Sequence, residues 1–260
     1  MYGFIARRAW PNLAVHGRLF NSRKEDVMKL RCSLGLSIFL LSAPAAFAQS
    51  APDAVDVDPT HHQVFLENDH VRVFQVLAAP GARSPMHSHH PLVFVSLGRA
   101  RIRLTAPDGS NTIFDTHPAQ VLWFENVVHS WEMLSGQAQI VAVEIKAART
   151  GSAPAAVARA ANDPVTVDPA HHHVIFENAH ARVFEVLASP GEKSPMHAHS
   201  PFVLVSMDRA RLRLALPDGS SAILDLHPGQ ALWLQDAAHS WELLSGQLRV
   251  IGVEVKAAAR

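Results

Sequence analysis

Residues 57–148 are written again as residues 167–258, at a constant offset of 110 and without a gap. About 55 of the 92 aligned positions are identical. The repeat is far longer than the period of a solenoid, so each copy must be a domain-sized unit with its own core. Any fold offered for one copy has to serve the other. Residues 149–166, between the copies, are alanine-rich and show no apolar face, which predicts a linker.

Within a copy the apolar residues alternate over short runs. In the first copy these runs fall at 71–77, 91–97, 99–104, 112–115, 121–124, 129–134 and 138–145. Such alternation is the signature of half-buried strands, because successive side chains on a strand point to opposite faces. Pro107-Asp-Gly-Ser reads as a turn with its glycine placed for positive φ. No long segment has helical period. The residues therefore predict two all-β domains in tandem, each a sandwich or barrel of seven or eight strands.

Upstream of the repeat, Met28-Lys-Leu-Arg opens a basic stretch, an apolar run follows, and Ala46-Phe47-Ala48 closes it. That order predicts a signal peptide over 28–48, cleaved after Ala48. Translation is expected to start at Met28, leaving 1–27 as a non-native upstream extension. The apolar run is too short and too interrupted for a stable membrane anchor. The single cysteine, Cys32, falls inside the signal, so the mature chain would hold no disulfide. A secreted or periplasmic location follows. With 23 basic and 23 acidic residues and a pI near 7.3, the chain has no electrostatic case for nucleic acid.

The 17 histidines are the compositional anomaly. Eight fall in each copy, and seven of those eight positions coincide across the duplication. His87 and His89 follow Ser84-Pro-Met in a loop leading into a strand, and the spacing i, i+2 points both the same way on an extended chain. His129 lies about forty residues on, at the start of another strand. These three, with His197, His199 and His239 in the second copy, are the expected metal ligands. Three neutral imidazoles suit a divalent transition metal (Fe, Mn, Zn, Ni or Cu) and leave a position open for a small molecule.

The segments Gly81-Ala-Arg-Ser-Pro-Met-His87-Ser-His89 and Gly191-Glu-Lys-Ser-Pro-Met-His197-Ala-His199 resemble the first cupin motif, G-x5-H-x-H. Residues 117–129 and 227–239, ending in His129 and His239, are similar to the second. The resemblance covers both copies nearly end to end. It implies a tandem pair of jelly-roll β-barrels, a bicupin, with the histidines turned into each barrel mouth. The glutamate ligand of that family is expected four or five residues after the second histidine, where this chain has Val93 and Phe94, then Val203 and Leu204. Three histidines per barrel are thus the carried-over set, and their lack of charge leaves a dication uncompensated.

Other residues have two readings. Trp131 and Trp241 share a face with His129 and His239, and either wall a pocket or pack a core. Met86 and Met196 fall off the histidine face and are expected to pack. Glu132 and Glu242 point away from the neighbouring histidine. The row Arg99, Arg101 and Arg103, repeated as Arg209, Arg211 and Arg213, reads as a solvent face. His61, His62, His171, His172 and His173 precede the first recognised strand and are expected to be exposed. No residue is assigned a catalytic role, since no carboxylate is placed by sequence to act as a base. Two functions stand at this point. One is an exported metalloenzyme with dioxygenase-like chemistry on a small organic substrate, implied by the resemblance. The other is a non-catalytic module that binds a small ligand or metal. Homo-oligomerisation is left open.

Overall fold

The computed structural model describes residues 14–15, 51–146, 162–235 and 238–256. The signal peptide, the upstream extension other than Ala14–Val15, and linker residues 149–161 lie outside these residues.

The first unit begins with a one-turn helix, α1 (Ala54–Val57), capped by Asp53, whose carboxylate accepts from Val55 N at 2.9 Å. Nine strands follow: β2 (His62–Glu67), β3 (Val71–Ala78), β4 (Arg83–His89), β5 (Leu92–Ser96), β6 (Ala100–Thr105), β7 (Asn111–Thr116), β8 (Val121–Phe124), β9 (Val127–Gly136) and β10 (Ala138–Ile145). The second unit repeats the series as α2 (Pro164–Val167), β11 (His172–Glu177), β12 (Ala181–Ala188), β13 (Lys193–Ala198), β14 (Phe202–Ser206), β15 (Ala210–Ala215), β16 (Ser221–Leu226), β17 (Ala231–Leu234), β18 (Ala238–Gly246) and β19 (Leu248–Val255). Helix α2 occupies residues that composition reads as linker. The structural unit thus starts a few residues before the repeat recognised from 57 and 167.

Each unit is two antiparallel sheets. In the first the orders are β2-β3-β10-β5-β8 and β4-β9-β6-β7; in the second they are β11-β12-β19-β14-β17 and β13-β18-β15-β16. The short strand β1 (Ala14–Val15) adds to the edge at β17. Late strands return between early ones: β10 pairs with both β3 and β5, and β9 with both β4 and β6. That crossing is what makes a jelly roll and not a simple meander.

The alternation along each strand divides three cores. Phe74, Leu92 and Phe94 point into the first barrel, and Phe184, Phe202 and Leu232 into the second. The opposite faces of the same strands, Val71, Val73, Val93 and Val95 in one unit and Val183, Val203, Ile251 and Val253 in the other, form one continuous cluster. The larger sheets of the two units thus pack face to face, which is why β5 is buried along its whole length. Stacked rings bracket this contact symmetrically. His70 lies on Trp233 at 5.3 Å, and His180 lies on Trp123 at 5.9 Å. Burying a valine side chain contributes about 1.5–3 kcal/mol, so this third core is a main support of the two-unit arrangement.

Candidate metal centre

Strand β4 departs from the sequence reading. Arg83–His89 is a strand rather than a loop, with an irregularity in its pairing to β9 between Ser84 and His87. Beyond that break the register sets His87 opposite His129, and the i, i+2 spacing turns His87 and His89 inward together. Both are buried. In the second barrel His197 stands opposite His239 in the same way. Ring centroids of His87 and His129 are 4.7 Å apart, and those of His89 and His129 are 5.3 Å apart.

A fourth histidine joins each cluster, and here the sequence expectation is corrected. His62 and His172 are not exposed: each is only 2% accessible and points into its barrel from β2 or β11. Of their neighbours, His61 and His171 are partly buried and only His173 is exposed. The ligand nitrogens of His62, His87 and His89 lie within 4.8 Å of one another, as do those of His172, His197 and His199. Strand β2 escaped the period-two reading because its pairing with β3 is irregular between Val64 and Leu66, which breaks the alternation. The doubled His-His, three and four residues after Asp58 and Asp168 in both copies, was the available signal.

The hydrogen bonds assign the tautomers. His87 Nδ1 lies 2.7 Å from the Pro85 carbonyl and His62 Nδ1 lies 3.2 Å from the Asp58 carbonyl. His197 and His172 repeat these contacts at 2.8 and 3.3 Å. A carbonyl oxygen only accepts, so each Nδ1 carries the proton and each Nε2 presents a lone pair. In the second barrel His199 Nδ1 meets Glu254 Oε1 at 3.2 Å; the matching distance from His89 to Glu144 is 3.9 Å. The Nε2 atoms of His87 and His89 are 3.1 Å apart, and His197 Nε2, though buried, has no hydrogen-bond partner. Burial, reinforced by the adjacent imidazole, lowers the pKa of His62 and of His172 to about 4. Burial likewise lowers His87, His89, His197 and His199. The cluster is therefore neutral at pH 7, with His87 Nε2 accepting from His89 Nε2 and His89 Nδ1 buried without a hydrogen-bond partner. A cation resolves that arrangement, and imidazole donors fit a divalent transition metal better than Ca or Mg.

Sequence reasoning also missed the carboxylate behind the site. Glu144, fully buried on β10, accepts from Arg72 Nε at 2.6 Å, and Arg72 also bridges to Asp53 at 2.7 Å. Glu254, Arg182 and Asp163 form the same chain in the second barrel. In each barrel one guanidinium thus bridges two carboxylates beside His89 or His199, and burial raises the Glu254 carboxyl pKa. A lone glutamate in the apolar run 138–145 was its trace in the sequence. Val93 and Phe94, which stand where a glutamate ligand was sought, belong instead to the core between units and to the barrel wall.

Histidines of each cluster line a largely apolar cavity inside their own barrel: His62, His89 and His129 in the first, and His172, His199 and His239 in the second. Trp131 and Trp241 are in the cavity walls and buried. Glu132 faces outward, paired with Arg83 and Arg103. Met196 is exposed and Met86 partly so, which corrects the expectation that they pack.

No family model and no curated protein matches the chain. Among solved structures, oxalate decarboxylase from Bacillus subtilis at pH 4.6 aligns over 79% of this chain and 71% of its own, at 14% identity and a TM-score of 0.50. The likeness is one of fold, two jelly-roll barrels in tandem. Coconut cocosin aligns over 72% of this chain and 77% of its own, at 14% identity and a TM-score of 0.48. A cupin domain from Bordetella pertussis aligns over 37% of this chain and 96% of its own length, at 22% identity and a TM-score of 0.31. At such identities the likeness concerns the fold, and the chemistry must be argued from the chain's own residues.

Proposed function

We propose that this protein is an exported metalloenzyme that holds a divalent transition metal in each barrel and performs dioxygenase-like chemistry on a small organic substrate. The observation that carries the reading is the convergence of imidazole nitrogens from His62, His87 and His89, and from His172, His197 and His199, with His62, His87, His172, His197 and His199 held through Nδ1. His129 and His239 complete the ring of imidazoles. A metal so held supplies Lewis acidity and, for a redox-active ion, electron transfer. The chain's own part is to keep the imidazoles neutral and oriented, to exclude water with apolar walls, and to place a carboxylate behind His89 and His199.

A second reading, a binding module without turnover, is favoured by one feature. Among the described residues, the side chains lining the two cavities include no carboxylate, lysine or hydroxyl that could move a proton. Metal analysis of the untagged mature chain tests the shared premise. About two ions per chain are expected, with one lost in His87→Ala/His89→Ala and the other in His197→Ala/His199→Ala. No stoichiometric metal in the unaltered chain overturns both metal readings. Oxygen uptake that tracks metal loading across a substrate panel supports the enzyme, and saturable ligand binding without uptake supports the module. N-terminal sequencing of exported protein is expected to begin at Gln49; a start before Met28 refutes the export reading.

A further inference from the structure

The two barrels keep the same imidazoles and differ in the wall across from them. In the first, Phe94 on β5, Phe114 on β7 and Phe124 on β8 all line the cavity. Their rings meet edge to face, with centroids 5.7, 5.9 and 6.3 Å apart. The positions 110 residues on are Leu204, Leu224 and Leu234, which line the second cavity. Strands β7 and β8 are the edges of their sheets farthest from β4 and β2, which bear His62, His87 and His89; His129 is on β9, next to β4. Each cavity thus has an imidazole end and a remote wall. The remote wall is aromatic in one barrel and aliphatic in the other. The substitution runs the other way near the metal site, where Leu92 becomes Phe202, whose ring lies 4.5 Å from that of His199. Phe74 and Trp131 keep their identities as Phe184 and Trp241.

Among the described residues, neither cavity is lined by an Asp, Glu, Lys or Arg, nor by any hydroxyl or amide side chain. A ligand with a charged body would be stripped of water there with no partner along the walls. The body of the ligand must therefore be neutral and apolar, with its polar atom at the imidazole end. Three mutually perpendicular phenyl rings offer edge and face contacts to a flat aromatic molecule that leucines do not.

We propose that the barrels have diverged in ligand class: the first takes a neutral, planar aromatic molecule with a single polar head, and the second an aliphatic one. This rests on reading the histidine clusters as sites for a small organic molecule. The test is calorimetric titration of the full metal-loaded chain with 2-naphthol and, separately, with 1-octanol. About one high-affinity naphthol per chain is expected, weakened at least about tenfold in Phe94→Leu/Phe114→Leu/Phe124→Leu. The reverse variant, Leu204→Phe/Leu224→Phe/Leu234→Phe, is expected to gain a second naphthol site and to lose octanol affinity. Phe114→Leu alone, on an edge strand, gives a smaller weakening if a triple variant fails to fold. Two equal naphthol sites in the unaltered chain, no saturable naphthol binding, or unchanged affinity in the leucine variants would overturn the proposal. Metal content measured on the same samples keeps the two ideas apart. Two ions per chain with no naphthol preference refutes the divergence and leaves the metal site standing. Missing metal refutes the metal site, while the naphthol titration still decides the divergence.

Discussion

At the scale of the residue, the site depends on which imidazole nitrogen carries a proton, and that is decided outside the cluster. Main-chain carbonyls set His62 and His87, and a glutamate held by an arginine sets His199, while its counterpart Glu144 stands 3.9 Å from His89. Outer partners of this kind commonly alter metal affinity about 10–100-fold when removed. Glu144→Gln keeps the shape and removes the charge. It is expected to weaken metal binding in the first barrel within that range and to leave the second unchanged. Chelator competition in a His197→Ala/His199→Ala background reads the first barrel, and the same measurement in a His87→Ala/His89→Ala background reads the second. Equal affinity before and after the change would show that Glu144 serves only to bury Arg72. The inward pair His87 and His89 was legible in the sequence because strand geometry makes i and i+2 coplanar in direction. Glu144 was not, because its meaning comes from Arg72, 72 residues away in the chain.

At the scale of the element, the duplicated copy acts as a control on local strain. The turn before β8 carries Ala119 at φ 61°, a left-handed conformation that L-residues with a Cβ adopt at a cost of about 1–2 kcal/mol. The matching residue before β17 is Gly229, at φ 79°. Replacing Ala119 with glycine removes the strain but adds freedom to the unfolded chain, which returns about 0.4–1 kcal/mol. A net stabilisation of about 0.5–1 kcal/mol is expected for Ala119→Gly, seen as a higher urea midpoint with unchanged slope. A lower midpoint would mean that the Ala119 methyl contributes packing beyond this strain. The elements themselves were readable where alternation was clean, as in Ala100–Thr105. They were not readable at β2 and β4, where irregular pairing interrupts the period of two.

At the scale of the whole molecule, duplication has produced an interface that is nearly its own mirror under rotation. His70 and Trp233 on one side answer His180 and Trp123 on the other, and valines of the same strands meet between them. A surface of this type is self-complementary. The first copy expressed alone as residues 49–148 would expose Val71, Val93 and Val95. It is therefore expected to form a two-fold dimer that imitates the intact chain. Sedimentation of that fragment, and of its Val93→Asp form, tests this: dimer for the former, monomer or unfolded chain for the latter. A stable monomer of the unaltered fragment would contradict the view that the central core holds the two units together.

The sequence by itself determined that there are two β-units, that they are copies, and that each turns a pair of histidines one way. Repetition and period-two patterning are local properties, visible in any extended stretch of chain. Tertiary structure alone decided that His62 and His172 enter the site, that Glu144 and Glu254 stand behind it, and that Val93 serves a core shared by both units. The pairing of β10 between β3 and β5, and the packing of sheet on sheet, bring together residues whose separation along the chain carries no such information.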